Sequence, residues 1–307
     1  MIDHIVYGKI IEDDIVLASG KLVHGVLGGG GPQACFGARL WTKSVGLLSR
    51  VGDDIANKHI DTLKDLDIDI QGVKHYSGIP TMRTRMAYDE NEYGTGIKLF
   101  PSEETFRYLL SQELPIPEEY LRPKGIHLIT EFAHEPIVKI ALEMKAKGIL
   151  FSLEPLIDYR HGTNVSEMVS LIKQVDVVSP DWPSASKIAQ SENPKDVLKF
   201  WSELGPSLVA VRHGKHGSYV WDSISDDYWH IHPTPVEVID PTGGGNTYGG
   251  GLFASWSETR NGLTSGVNAA VAAYFMVRQY GFTPISDVLL KEAKLKAQET
   301  RKLVEEL

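Results

Sequence analysis

Short runs rich in β-branched and aromatic residues alternate along most of the chain with stretches whose apolar positions recur every three to four residues. That is the pattern of βα units feeding a mostly parallel sheet. Strands are predicted from Ile2 to Tyr7, Gly125 to Thr130, Ile149 to Leu153, Val175 to Ser179, Leu208 to Arg212 and Ser218 to Trp221. Between them, Ile137, Ile140, Ala141 and Met144 fall at i, i+3, i+4 and i+7, and Val197, Leu198, Trp201 and Leu204 form a second such stripe. Both stretches are predicted as helices covering the sheet.

Two segments break the alternation. From Thr81 to Tyr88, Met82, Met86 and Tyr88 share one face and Arg83 and Arg85 the other; a polar turn from Asp89 to Gly94 and a second run from Ile97 to Phe100 complete a predicted β-hairpin. Asp14 to Val26 reads as extended chain turning at Ser19-Gly20. The two segments are expected to pair into a small β-sheet lid, about 14–26 and 79–100, inserted in one domain of 1–307. The alternative is an edge extension of the main sheet with no role over a site.

Composition narrows the classes. With 42% hydrophobic and 23% charged residues the chain matches ordinary folded proteins, which excludes disordered, collagen-like and coiled-coil readings. Subtracting 40 acidic from 31 basic residues leaves −9, and no Lys/Arg block could neutralise a row of phosphates, so nucleic acid is not an expected partner. One cysteine, Cys35, rules out an internal disulfide and a cysteine-based zinc site, and fits a reducing compartment. Residues 1–20 lack a basic segment followed by an apolar core, and the longest uncharged stretches, such as Asn261 to Val277, fall short of a membrane span. A cytoplasmic protein without membrane contact is expected, and the sequon Asn164-Val165-Ser166 is then a chance match.

Two glycine-rich segments carry the chemistry. Gly28-Gly29-Gly30-Gly31-Pro32-Gln33 precedes a helix-like stretch, Ala34 to Leu40; it either lets something approach the backbone closely or is a surface turn. Asp240-Pro241-Thr242-Gly243-Gly244-Gly245-Asn246-Thr247 precedes a stretch of small residues, including Gly249 to Gly251, which read equally well as tight helix packing. A helix N-terminus behind such a loop offers free N–H groups and the positive end of a dipole to a phosphoryl group, with Asn246 or Thr247 as candidate caps. Neither loop completes G-x-G-x-x-G, and no Gly-Lys-Ser/Thr, G-x-S-x-G or H-E-x-x-H is present, which argues against hydride transfer, P-loop, serine-hydrolase and zincin chemistry. The pairs His213/His216 and His230/His232 lack further clustered ligands and are not expected to hold a metal.

The order of these features resembles the ribokinase-like (PfkB) carbohydrate kinases: an early Gly-Gly loop, a lid hairpin, Val211-Arg212-His213-Gly214-Lys215-His216-Gly217, and Asp240 to Asn246. Val45 to Asp54 resembles that family's G…vG-x-D segment, and Asn268-Ala269-Ala270 through Gly281 its last nucleotide-side helix and turn. The resemblance implies a three-layer α/β fold, a mostly parallel sheet with helices on both faces plus the lid, and transfer of a phosphoryl group from ATP with Mg to a small sugar-like or nucleoside-like alcohol. It implies that Asp13 grips adjacent hydroxyls of this acceptor beside Gly28, Gly29 and Gly31, with Gln33 where the family usually has Asn. Asp13 otherwise reads as one more solvated acid in Glu12-Asp13-Asp14. On the nucleotide side the resemblance points to Arg212, Gly214, Gly217, Thr242 and Asn268, and in the anion hole to Gly243, Gly244 and Gly245. A homodimer through Met82, Met86 and Tyr88 is a further expectation.

Three positions depart from the family. Its Asn-x-x-Glu, which organises magnesium, appears as Asp181-Trp182-Pro183-Ser184, leaving Asp181 as the metal candidate. Its Thr before the glycine turn is Arg212, and the catalytic Asp that ends Thr-Gly-Ala-Gly-Asp is Asn246, marking a divergent branch with Thr-Gly-Gly-Gly-Asn. An amide cannot take a hydroxyl proton as a carboxylate does. The expectation is therefore a small-molecule kinase in which a phosphate oxygen, magnesium or another carboxylate such as Asp240 compensates, with a catalytically silent nucleotide or sugar binder as the alternative.

Overall fold

The computed structural model of the chain describes residues 2–89 and 94–307. The N-terminal half runs β1 (His4–Tyr7), β2 (Ile11–Val16), β3 (Leu22–Gly28), α1 (Gly30–Arg39), β4 (Val45–Gly52), α2 (Asn57–Asp65), β5 (Val73–Tyr76), β6 (Arg83–Tyr88), β7 (Gly94–Phe100) and α3 (Glu103–Ser111). Then follow β8 (Gly125–Thr130), α4 (Pro136–Lys145), β9 (Leu150–Pro155), α5 (Val165–Ile172), β10 (Val177–Val178), α6 (Trp182–Ala189), α7 (Pro194–Ser202) and β11 (Leu208–Arg212). The chain ends with β12 (Ser218–Asp222), β13 (Tyr228–Ile231), α8 (Gly244–Thr259), α9 (Gly262–Val277), α10 (Asp287–Thr300) and β14 (Val304–Glu306).

Among the described residues the large sheet has the order β14-β13-β12-β11-β10-β9-β8-β1-β4-β5. Its pairs from β5 through β11 are parallel, and β12, β13 and β14 add antiparallel at one edge. Side chains alternate between faces along a strand, so each buried strand feeds two cores. Ile5 and Tyr7 of β1, Phe151 and Leu153 of β9, and Val209 and Val211 of β11 pack under α4 to α7. Val6, Leu150, Leu208 and Ala210 turn the other way, towards α1, α8, α9 and α10. This is the three-layer α/β arrangement that the resemblance implied. Val175 to Ser179, expected as a full strand, pairs only at Val177 and Val178.

The two segments that break the alternation form a separate four-stranded sheet, β3-β2-β6-β7. It is larger than its sequence bounds: β2 starts at Ile11 and β3 ends at Gly28, so Asp13 lies on one strand and the glycine loop continues from another. The middle of the polar turn expected between Asp89 and Gly94 lies outside the described residues. Thr84 and Met82 face inward: Thr84 donates its hydroxyl to Asp13, and Met82 packs with Ile79, Phe106, Leu109 and Leu110. Arg83 and Arg85 point outward to Asp54 and Asp14. The carboxylates of Asp53 and Asp54 accept from the N–H groups of Gly78 and Thr81, tying the start of this hairpin to the end of β4.

Candidate active site

The site begins where the two sheets meet. Gly29 has φ +85, a conformation that side-chain-bearing residues rarely adopt, and it turns the chain from β3 directly into α1. The helix therefore starts within the glycine run, at Gly30, rather than at Ala34 as the sequence suggests. The backbone of Gly28 lies against Asp13 so closely that an added Cβ would fall 1.8 Å from Oδ2. Gly31 instead packs on the Gly8 backbone, where a Cβ would meet the Gly8 oxygen at 2.7 Å, and its N–H donates to the Lys9 carbonyl. Gly31 shapes the loop without facing the cradle.

Asp13 is 3% exposed, which excludes the solvated-charge alternative. Burial lifts its carboxyl from the ordinary 3.8 to about 6, and the negative charge of Asp240 adds to the rise; the Thr84 hydroxyl and the Gly29 N–H pull the other way. Asp240 is itself raised by burial. Burial also raises the Tyr88 phenol on β6, with the charges of Asp240 and Asp13 contributing. The inner face of the small sheet thus holds Asp13 and Tyr88 towards the loop that precedes α8.

Gly243, with φ +82, is the N-cap of α8, and the helix starts at Gly244. Asn246 is consequently inside the first turn and does not cap the helix, because the left-handed glycine already turns the chain. Its Nδ2 instead donates to Gln33 Oε1 at 2.6 Å, across 213 residues of sequence. Gln33 is 3% exposed and lies against Gly243, where a Cβ would sit 2.4 Å from its amide carbon. The small residues further along do the same for the helix pair: a Cβ on Gly250 would fall 1.9 Å from the Ala34 oxygen, and one on Gly37 2.0 Å from the Thr247 oxygen. α1 and α8 cross backbone to backbone. That contact aligns the two glycine loops.

Arg212, at the end of β11, brings positive charge to the same point. A Cβ on Gly245 would lie 2.5 Å from its Nη1, which donates to Glu154 Oε1 at 2.7 Å. Glu154 is 1% exposed at the end of β9; burial pushes its carboxyl up most strongly, but the Arg212 guanidinium and His127 together outweigh it and hold the carboxyl below the usual range. Sequence reasoning missed Glu154; the available signal was a lone acid closing the otherwise buried run Leu150–Pro155. Arg212 and Asn246 also border a cavity of about 460 Å³ lined by Glu154, Asp158 and Asp181. Asp181 caps α6, its Oδ1 accepting from the Ser184 N–H.

On the other side of Gly244, Gly245 and Arg212 opens a cleft of about 520 Å³. The turn Gly214 to Gly217 forms one wall, 233–238 another, and Tyr248, Ala270, Ala273, Tyr274 and Val277 an apolar floor. Thr242 is buried beside Asp240, whose Oδ1 accepts the Thr242 N–H. Asn268 is not brought to this cleft: its amide donates to Ser255 on α8. Ala270, Ala273, Tyr274 and Val277 are the i, i+3, i+4, i+7 stripe of α9 that faces the cleft, and Asn268 lies off that stripe.

A glycine-lined helix N-terminus set between a flat apolar cleft and a carboxylate-bearing cradle is suited to hold a phosphate ester against a hydroxyl compound. The pfkB family carbohydrate kinase model matches residues 1–287, and the chain belongs to that family. A cytidine kinase of Thermococcus kodakarensis is 28% identical over 260 residues, covering 85% of this chain and 90% of its own. A 5-dehydro-2-deoxygluconokinase of Clostridium tetani is 25% identical over 256 residues, with 75% and 73% covered. Among solved structures, an E. coli chain described as a candidate ribokinase II in complex with ATP and Mg2+ superposes with TM-score 0.79 at 19% identity, covering 97% of this chain and 100% of its own. Adenosine kinase from Sinorhizobium meliloti superposes with TM-score 0.76 at 18% identity, covering 96% and 99%. Among the described residues no helix is long and apolar enough to cross a membrane.

Proposed function

We propose that the chain is one ribokinase-like domain that transfers a phosphoryl group from ATP, with Mg2+, to a hydroxyl of a small sugar-like or nucleoside-like acceptor covered by the small sheet as a lid. The observation that carries this reading is the Gln33–Asn246 hydrogen bond, which ties the acceptor-side glycine loop to the anion-binding helix. The curated relatives, a cytidine kinase and a 5-dehydro-2-deoxygluconokinase, support an alcohol acceptor of this class.

The residues present fit the donor. The apolar floor of the cleft suits a purine, and a Cβ would fill the space at Gly245 where a phosphoryl group needs backbone N–H groups and the guanidinium at close quarters. Arg212 Nε is buried without a partner among the described residues. For the cation, the smaller cavity offers three carboxylates: Glu154, whose Oε1 accepts from Arg212 and whose Oε2 is buried without a hydrogen-bond partner among the described residues, Asp158, which accepts from His161 and Thr163 of its own loop, and Asp181, which caps α6 through Oδ1. Of these, Asp181 at the N-terminus of α6 is the hard oxygen donor proposed for the metal.

Magnesium, when bound, neutralises phosphate charge and orients the reacting group. Asp13 accepts hydrogen bonds from the acceptor's adjacent hydroxyls and fixes one of them in line with the α8 N-terminus. Gly245 offers its N–H group, and Arg212 a full positive charge, where negative charge develops, while the Gly244 N–H closes the turn onto the Pro241 carbonyl. Asn246 holds Gln33 and takes no proton; the hydroxyl proton passes to an oxygen of the transferred phosphoryl group as the bond to the acceptor forms and ADP leaves. Transfer through a loose transition state depends chiefly on such positioning and charge, a base adding about 10²–10⁴-fold, so the missing carboxylate lowers turnover without abolishing it. The test is acceptor-dependent ADP formation over a panel of nucleosides and sugars with Mg2+. ATP binding without ADP formation for any acceptor would instead make the chain a silent binder.

A further inference from the structure

We infer that His230, His232 and Glu305 form a zinc site on the outer face of the antiparallel edge of the large sheet, separate from the magnesium chemistry of the cleft. Along β13, Trp229 and Ile231 point into the core, so His230 and the neighbouring His232 share the opposite face. β14 brings Glu305 into register directly opposite His230. The His230 and His232 rings lie 4.0 Å apart, and Glu305 Oε1 is 3.3 Å from His232 Nε2. One ligand atom from each residue lies within 4.8 Å of the other two.

Tetrahedral zinc with bonds of ~2.0–2.1 Å separates its ligand atoms by roughly 3.4 Å. Closure therefore needs only small side-chain rotations, which His232 at 36% and Glu305 at 68% exposure are free to make. The neighbouring turn supplies the orientation such sites require. His230 Nε2 lies 2.8 Å from the His216 carbonyl oxygen and donates to it. That bond fixes the tautomer and leaves the Nδ1 lone pair for a metal, as a backbone carbonyl commonly does for a ligating histidine. Two imidazoles and a carboxylate, with a fourth position for water, are a borderline-metal donor set that Mg2+ does not favour. The separation of His216 from His230 in sequence, and the arrival of Glu305 from the last strand, explain why the spacing of the histidine pairs does not reveal the site.

Tag-free protein, stripped with a chelator, is titrated with ZnCl2 alone by calorimetry. The expected result is one zinc per chain with a micromolar or tighter Kd, undisturbed by millimolar Mg2+. His232→Ala and Glu305→Gln should each weaken binding by about tenfold or more and the double variant abolish it, with circular dichroism unchanged. Zinc should also raise the Tm of the parent chain and not that of the double variant. Binding no tighter than about the millimolar range, or a double variant that binds zinc like the parent, would overturn the assignment.

Discussion

Asp13 is where function and stability pull apart, and Asp13→Asn separates them. The carboxyl is almost fully buried, and burial lifts it from 3.8 to about 6. Below pH 3.8 the folded and unfolded chains both carry it neutral. Between 3.8 and about 6 the unfolded chain releases the proton while the folded chain keeps it, so stability falls as pH rises, and above about 6 the loss is complete. A difference of about two pH units at 1.36 kcal/mol each gives about 3 kcal/mol. Asp13→Asn removes that slope. Urea unfolding of both proteins from pH 4 to 8 should show their stability difference moving by about 2–3 kcal/mol in the variant's favour, then levelling above pH 7, with equal m-values. Any constant offset, from altered bonds to Thr84 and Gly29, cancels in this comparison. The same variant should lower kcat/KM for the acceptor, and the parent's kcat/KM should climb through about pH 6 as Asp13 ionises. A stability difference that does not change with pH would refute burial as the cause.

Arg212→Met strands Glu154 in the interior and should cost about 3–5 kcal/mol by chemical denaturation, partly recovered by adding Glu154→Gln. Because Glu154 is held below the usual carboxylate range, the pair's contribution is present above about pH 4.5 and fades as pH falls, so the penalty should shrink in acid. Gly250→Ala forces α8 away from Ala34 and should cost about 1–3 kcal/mol while also lowering kcat, since the Gln33–Asn246 bond crosses the same helix pair; an unchanged kcat would uncouple that bond from the crossing. Asn246→Asp adds a base where Gln33 can turn its amide to donate, and turnover should rise by up to ~10²–10⁴-fold. A fall in turnover would mean that the new charge repels the phosphate.

The parts of the fold that sequence revealed are those whose burial is written locally. β8 and β11 run at their expected bounds because strands covered on both faces are apolar or small at nearly every position, with only His127 in β8 and the terminal Arg212 of β11 breaking the run. The short edge strands β5 and β14 were not legible, since adjacent exposed positions such as Lys74 and His75, or Glu305 and Glu306, break the alternation. The glycine loops were legible as places of close approach, but not what approaches. Asp13 meets Thr84 from 71 residues away, and Arg212 meets Glu154 from 58. Arg212 seen alone is a departure from its family; beside Glu154 and Gly245 it is a largely covered positive charge at the N-terminus of α8. Of Met82, Met86 and Tyr88, read from sequence as a face for a second copy, Met82 packs against α3 and Tyr88 lies near Asp240 and Asp13.

The central claim is that the two glycine loops bring an ATP phosphoryl group to an alcohol despite Asn246. It is tested most directly by incubating the chain with γ-labelled ATP, Mg2+ and a nucleoside and sugar panel, and identifying the product by mass spectrometry. The account predicts a phosphate monoester of one acceptor class that carries the label, absent without Mg2+ and strongly reduced in Asp13→Asn and Arg212→Met. Labelled inorganic phosphate alone, or no transfer while calorimetry shows ATP and acceptor both bound, would contradict it.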